Sequence, residues 1–380
     1  MLKRESWHHF NDLVISQKKI ISFVNAGPSI EVIGRYFKIF EKNIKNTMHK
    51  NGPEIFNYAE TKGSELLRKR LVEKGLAGEA SNKEMVLITN GGQEALKIIV
   101  ETMLKKGERI MVEKLSYVGL EQIVLNNNGK IVCFSDNINN LKLTKIEEEL
   151  RKNRPKLLYL IPDFSNPGGE VIQNRIRKLL ARLAKELSFW IIEDQTYREL
   201  YFDNYQQLKS IFSMCERVMI VGSSSKTIVP GLRIGWLVVR DELLSQKLIQ
   251  IKESFSLSTN NLSQRLLADL LEEEYSKTVG WVRNYYGKKM KKVLNCLKTM
   301  MPMGFTWVEP EGGFYVWING PKKFNAEKTL GLALKNGVAF IPGSVFYYGK
   351  KEKNTFRLSI SGVKEDEIEE GIRRLAMTLF

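Results

Sequence analysis

From residue 85 onward the chain alternates short apolar runs with amphipathic stretches. The runs 85–89, 109–113, 130–134, 157–161, 189–194, 218–222 and 234–239 have strand length, and several are rich in Val and Ile. Segments with helical period, such as 94–105 and 175–186, separate many of them. This alternation requires crossover connections, so it predicts an α/β fold around a largely parallel sheet covered on both faces. Residues 259–300 read as helix, through 264–274 and 282–300. The pattern then changes to an apolar stretch at 305–318 with Gly312-Gly313 inside it, further runs at 338–341 and 356–361, and a closing helix over 365–379. This last part predicts a smaller α+β module of about 85 residues. No repeat, low-complexity tract or Pro/Ser-rich linker marks a boundary, which is expected within continuous helix near 256–264. The resulting division is an N-terminal segment 1–45, a large domain 46–258, and a connecting helix with the small domain over 259–380.

Composition narrows the picture by exclusion. The 380 residues are 43% hydrophobic and 27% charged, which describes an ordinary globular chain of more than one domain. No apolar run approaches the roughly 20 residues that cross a bilayer, and residues 1–12 lack the apolar core of a signal peptide. Three distant cysteines, Cys133, Cys215 and Cys296, exclude a disulfide framework and a Cys-rich zinc site, so a reducing, cytoplasmic location is expected. The three histidines, His8, His9 and His49, all lie near the N-terminus, away from the later motifs, which argues against a Ser-His-Asp hydrolase or a His-ligated metal. The formal charge of +16 raises nucleic acid or an anionic ligand as a partner. The basic residues are spread along the chain, with local clusters at 38–50, 151–156 and 288–292, and no aromatic-interleaved stripe appears. A solvated lysine-rich surface is the simpler reading.

Ligands of doubly wound sheets sit at the carboxyl ends of strands, and several predicted strands end in chemically useful residues. The first runs into Asn90-Gly91-Gly92-Gln93 ahead of a helix, where backbone N–H groups can approach an anion; a plain connection has the same composition. Run 189–194 ends in Glu193-Asp194-Gln195-Thr196-Tyr197, whose acids suit a metal ligand, a salt-bridge partner or a helix N-cap. Run 218–222 opens into Ser223-Ser224-Ser225-Lys226-Thr227, with Pro230-Gly231-Leu232-Arg233 behind it. These supply donors for a phosphate and an amine that could serve as a nucleophile. Asn166 precedes Pro167 and is held extended, which can aim its amide at a ligand or simply make a turn. Arg357, on an apolar strand, needs an anionic partner, either a ligand carboxylate or a structural Asp or Glu.

Taken together and in order, Tyr58, Gly63, Leu67-Arg68, Asn90-Gly91-Gly92-Gln93, Tyr117, Asn166-Pro167-Gly168-Gly169, Asp194 to Tyr197, Ser223 to Thr227, Pro230 to Gly235 and Arg357-Leu358-Ser359 resemble the class I/II aminotransferases. These are pyridoxal-phosphate enzymes of the aspartate aminotransferase fold, and the resemblance is greatest to the branch holding α-aminoadipate and kynurenine aminotransferases and the MocR-type regulators. The resemblance implies a large domain with a mainly parallel seven-stranded sheet and a smaller α+β domain. It implies that Lys226 forms an aldimine with pyridoxal 5′-phosphate and, once displaced, acts as general base. Asp194 is then the partner of the pyridine nitrogen, Tyr117 stacks on the ring, and Tyr197 and Asn166 hydrogen-bond the phenolic oxygen. Gly92, Gln93, Ser223, Ser225 and Arg233 hold the phosphate, and Tyr58 reaches it from the neighbouring subunit of a homodimer with shared sites. Arg357, with Asn166 beside it, binds the substrate carboxylate, so amino acids and 2-oxo acids are the expected small-molecule partners.

Asn25-Ala26 stands where the family often has Gly-Gly, Leu115 where it has Pro, Gly92 where it frequently has Ser, and Gln195-Thr196 where it has an acid and Pro. The last three are expected to leave the cofactor contacts intact, whereas the first leaves substrate size and identity open. The same cofactor chemistry serves carbon–sulfur β-lyases, acyl-CoA-condensing synthases and decarboxylases; Tyr117 argues against the condensing group, whose members usually stack a histidine there. A MocR-type regulator would need a DNA-binding domain, and only about twenty residues precede Ile21-Ser22-Phe23. Side-chain specificity is not encoded in any of these motifs. Arg35 could contact a substrate side chain or face solvent.

Overall fold

A computed structural model describes residues 20–202 and 205–379. His8, His9 and most of the N-terminal half of the 1–45 segment lie outside the described residues.

All seven predicted runs form one sheet. Its strands are β2 (Val86–Thr89), β3 (Arg109–Val112), β4 (Lys130–Cys133), β5 (Leu157–Leu160), β6 (Trp190–Asp194), β7 (Val218–Ser223) and β8 (Gly235–Val238), in the order β2-β8-β7-β6-β5-β3-β4. The four pairings linking β4, β3, β5, β6 and β7 are parallel. Strand β8 runs antiparallel to both its neighbours, β7 and β2. Strands β2, β5 and β7 are buried along their whole length, which is why they read as unbroken apolar runs rather than as alternation. Between β3 and β5 the strand order reverses, with β4 left outside, so the carboxyl ends of the central strands open on a crevice.

The helices covering this sheet include α1 (Ile30–Asn51), α2 (Glu65–Glu73), α3 (Gly92–Met103), α4 (Gly119–Asn126), α5 (Leu143–Asn153), α6 (Asn174–Glu186) and α7 (Glu242–Ser256). Helix α6 shows the logic: Ile176, Leu179, Leu180, Leu183 and Ala184 recur at helical spacing and are buried, while Arg175, Lys178, Arg182 and Lys185 are not. Each buried leucine contributes roughly 1.5–3 kcal/mol.

The predicted continuous helix at the domain boundary is interrupted. Helix α7 ends at Ser256, and Leu257 turns the chain at a positive φ of 34°. Asn260 then caps a new helix, α8 (Asn261–Glu273), by accepting a hydrogen bond from the Ser263 N–H at 2.8 Å. Asparagine caps compete with helix continuation, a signal that apolar periodicity does not carry. The long α9 (Tyr275–Met300) follows, then α10 (Ala326–Lys335) and α11 (Ile368–Leu379).

A second, antiparallel sheet runs β12 (Ile341–Pro342), β13 (Thr355–Ser359), β10 (Tyr315–Asn319), β9 (Thr306–Trp307). The run predicted at 305–318 is thus split in two around Gly312-Gly313. A Cβ on Gly312 would stand 2.6 Å from the Leu200 carbonyl and from the Phe164 ring, so only glycine lets this sheet press against the large domain. The N-terminal strand β1 (Ile21–Ser22) pairs in parallel with β11 (Val338–Ala339). The chain after it threads between the two parts of the molecule: Phe23 accepts from the Ser359 N–H at 2.8 Å, and Asn25 from the Ser361 hydroxyl at 3.0 Å. Among the described residues no helix is long and apolar enough to cross a membrane, and no cluster of three His, Cys, Asp or Glu could hold a metal.

Candidate active site

The carboxyl ends of β2, β5, β6 and β7 bring the motif residues together. Lys226 follows β7, and its Nζ donates to the carbonyl of Ala26 at 2.6 Å. Among the described residues no carboxylate forms an ion pair with it. Burial and the nearby Arg357 and Arg233 cations lower its pKa to about 8, against a weaker opposing pull from Asp194. Such an amine is partly neutral near pH 7 and therefore nucleophilic.

Asp194 ends β6 and is 7% exposed. Its Oδ2 accepts from the Tyr159 hydroxyl at 2.8 Å, and its Oδ1 accepts from the Thr196 N–H at 3.0 Å and hydroxyl at 2.6 Å. Burial raises the carboxyl pKa, and those three donors with the Lys226 cation oppose the rise. Sequence reasoning passed over Tyr159 and gave Thr196 no contact of its own. A proline at 196 could supply neither donor, so the departure from the family pattern adds contacts to this carboxylate. The helix-cap reading of Asp194 is not met: residues 195–200 form turns rather than a helix, and the Thr196 bonds close a local turn.

Arg357 lies on β13 and is 3% exposed. Its Nη1 donates to Asn166 Oδ1 at 2.7 Å and its Nη2 to the Val24 carbonyl at 3.1 Å. Its guanidinium packs 4.3 Å from the Tyr315 ring centroid and 4.8 Å from that of Phe346. Nε is buried without a partner. The structural Asp or Glu considered from sequence does not pair with it; a neutral amide and a backbone carbonyl do. Two neutral acceptors leave the charge of a buried guanidinium uncompensated, and burial lowers its pKa.

Tyr197 is buried, with its hydroxyl 2.8 Å from that of Tyr315. Tyr315 is another residue that sequence reasoning passed over; its signal was position, two residues beyond the Gly312-Gly313 pair that lets β10 approach the large domain. Tyr117 donates its hydroxyl to Gln93 Oε1 at 3.0 Å, and Gln93 Nε2 donates to the Gly119 carbonyl at 2.8 Å. Burial pushes the Tyr117 phenol up to about 12.

Helix α3 begins at Gly92, so its first-turn N–H groups open toward the crevice. Gly91 has φ of +93°, and a Cβ there would meet Arg233 Nη2 at 2.8 Å. Arg233, itself at φ +53°, donates to the Asn90 carbonyl at 3.2 Å and the Pro230 carbonyl at 3.3 Å. Ser223 and Ser225 meet through their hydroxyls at 3.0 Å. These residues form one polar cradle. Tyr58 stands apart from it on the surface, 81% exposed. Arg35 stacks on the Trp281 ring at 4.6 Å, with its Nε buried and unpartnered.

An amine without an ion pair, a buried carboxylate, an unsatisfied guanidinium and an anion cradle on an α/β scaffold describe a group-transfer enzyme for small anionic substrates. Residues 35–375 match the family Aminotransferase class I and II, and the chain belongs to that family. It is 33% identical to the 2-aminoadipate transaminase of Thermus thermophilus over 95% of this chain and 90% of that one. Among solved structures it resembles the α-aminoadipate aminotransferase LysN from Thermus thermophilus, complexed with N-(5′-phosphopyridoxyl)-L-leucine (TM-score 0.88, 32% identity, 98% of both chains). It also resembles the kynurenine aminotransferase of Pyrococcus horikoshii in complex with PMP (TM-score 0.91, 30% identity, 98% of this chain and 93% of that one).

Proposed function

We propose that this chain moves an amino group between an amino acid and a 2-oxo acid, with pyridoxal 5′-phosphate held in the crevice beside Lys226. The observation that carries the reading is the convergence of an amine bonded only to a backbone carbonyl, Lys226, with an incompletely satisfied guanidinium, Arg357. The residues present fit the cofactor. The α3 N-terminus, Ser223, Ser225 and Arg233 offer neutral and cationic donors to a phosphate, Asp194 offers a buried carboxylate to a protonated ring nitrogen, and Tyr197 and Asn166 face the phenolic oxygen.

When bound, the cofactor supplies an electron sink for charge developing at the amino acid's α-carbon. The protein does the rest. Lys226 would hold the cofactor through its amine and, when that amine is free, would serve as the base that takes up the substrate Cα proton. Asp194, held by Tyr159 and Thr196, keeps the ring nitrogen protonated. Tyr117 covers one ring face, and the donation to Gln93 holds its plane. Arg357 gives its free N–H to the substrate α-carboxylate and orients the Cα–H bond. Asn25 and Ala26 border the site through the Ala26 carbonyl and help set the size of the acceptable side chain.

The assembly is a cytoplasmic homodimer in which Tyr58 reaches the partner's phosphate site. Ile30, Phe37 and Phe56 are exposed along α1 and the turn after it, 61–70%, which favours a covered apolar face there. The division into 1–45, 46–258 and 259–380 places Lys226 in the large domain and Arg357 in the small one, so closure between them would assemble the site.

A half-reaction tests the reading. Mixing an amino acid with the holoenzyme should convert the bound cofactor to its amine form, and a 2-oxo acid should restore the starting spectrum. Release of ammonia and a 2-oxo acid with no amine form would instead mark an eliminating lyase.

A further inference from the structure

Tyr197 does not meet the site alone. Its hydroxyl lies 2.8 Å from that of Tyr315, the rings are edge-on at 5.6 Å, and both side chains are buried. Burial holds both phenols well on the neutral side, so two hydroxyl protons are present. One fills the gap between the oxygens; the other is free to point elsewhere. Which tyrosine donates decides whether the spare proton faces the crevice.

One observation favours a direction. The Arg357 guanidinium sits over the Tyr315 ring at 4.3 Å, while among the described residues no cation is placed over Tyr197. A positive charge on the ring face draws electron density from the phenol and makes it the better donor. Register supports the same arrangement: Tyr315 pairs with Ser359 across β10 and β13, and the two strands also carry Trp317 opposite Arg357. The strand pair therefore holds the ring and the cation together. The Tyr315 hydroxyl has Tyr197 as its side-chain partner, which makes it a group committed to one contact.

We propose that Tyr315 is a positioning residue for Tyr197, donating its O–H to the Tyr197 oxygen so that the Tyr197 proton is aimed at the cofactor's phenolic oxygen. This rests on the roles given above to Lys226 and Tyr197. The consequence has a definite sign. A hydroxyl that accepts one hydrogen bond becomes a stronger donor of the next. Stronger donation from Tyr197 would stabilise negative charge on a bound cofactor's phenolic oxygen and so make the bound cofactor easier to deprotonate. Tyr315 therefore lowers the pH at which the bound cofactor loses its proton.

The experiment is a spectroscopic pH titration of substrate-free holoenzyme for four proteins: wild type, Y315F, Y197F and the double variant. Phenylalanine fills the same space, and Y315F removes one hydroxyl. The protonation midpoint is expected to rise by about half a pH unit or more in Y315F, and further in Y197F. The double variant is expected to match Y197F, because Tyr315 acts through it. An unshifted Y315F, or a Y315F effect that persists undiminished without the Tyr197 hydroxyl, overturns the proposal while leaving the aminotransferase reading in place. A wild-type protein that shows no bound-cofactor band at all withdraws both.

Discussion

Arg357 donates to Asn166 at 2.7 Å, tying strand β13 of the small sheet to the loop after β5 of the large one across 191 positions of sequence. Each residue orients the other, and the arginine keeps a buried Nε for an incoming carboxylate. Replacing Arg357 by Ala is expected to raise KM for amino acids by about a hundredfold or more, the scale of losing a buried charged contact, while changing cofactor affinity only severalfold. Arg357→Lys should recover only part of the loss, since an ammonium lacks the planar fork. Equal damage to cofactor and substrate binding would make Arg357 a structural residue.

Lys226 offers a pH test in the apoprotein. With its pKa lowered to about 8 by burial and two arginines, about a tenth of the amine is neutral at pH 7, against a few parts in ten thousand for an ordinary lysine. Because the neutral form attacks the aldehyde, the rate of cofactor capture should climb about tenfold per pH unit below 8 and level off above it. A rate still climbing at pH 10 would mean an unperturbed amine. Lys226→Ala should leave no cofactor attached after borohydride reduction.

Asp163 joins the loops that carry Asn166 and Tyr197. Its Oδ1 accepts from Arg177 at 2.7 Å and its Oδ2 from Arg198 at 2.8 Å, and Arg177 is fully buried, with further bonds to the Pro162 and Ile172 carbonyls. Asp163→Ala strands a buried guanidinium and should cost about 3–5 kcal/mol of stability, read from a denaturation midpoint. Turnover should fall along with it, because the two residues proposed to face the cofactor's phenolic oxygen, Asn166 and Tyr197, lose their anchor. A loss below about 1 kcal/mol would show that water replaces the aspartate easily.

The proposed sharing of sites between subunits makes a prediction about mixtures. A Lys226→Ala homodimer should be inactive and a Tyr58→Ala homodimer impaired at limiting cofactor; co-refolded at limiting cofactor, the two should regain activity, because one of the two sites in the hybrid dimer is then intact. Cofactor affinity of Tyr58→Ala alone should fall by about tenfold, the value of one charge-assisted hydrogen bond. No recovery in the mixture would place Tyr58 outside the site.

Much of this molecule was legible without coordinates. The seven apolar runs became the seven strands of one sheet because strands buried on both faces must be continuously apolar. The glycine and serine turns at their ends marked the crevice, since only certain residues let backbone approach an anion. Element ends were less legible: the helix break at Leu257–Asn260 depends on a cap, and the split of 305–318 depends on how closely Gly312 approaches Leu200.

The residue types needed for the chemistry, their order and the strands that carry them were determined by the sequence alone. Tertiary structure decided what each of them touches. Lys226 meets Ala26 from 200 positions away, Arg357 meets Asn166 from 191, and Tyr197 meets Tyr315 from 118. Periodicity and turn chemistry express interactions between residues a few positions apart, where backbone geometry fixes the distance. Contacts spanning more than a hundred residues depend on how helices and sheets pack. That packing converts a lysine into an amine of lowered pKa and an arginine into a guanidinium whose Nε is buried without a partner.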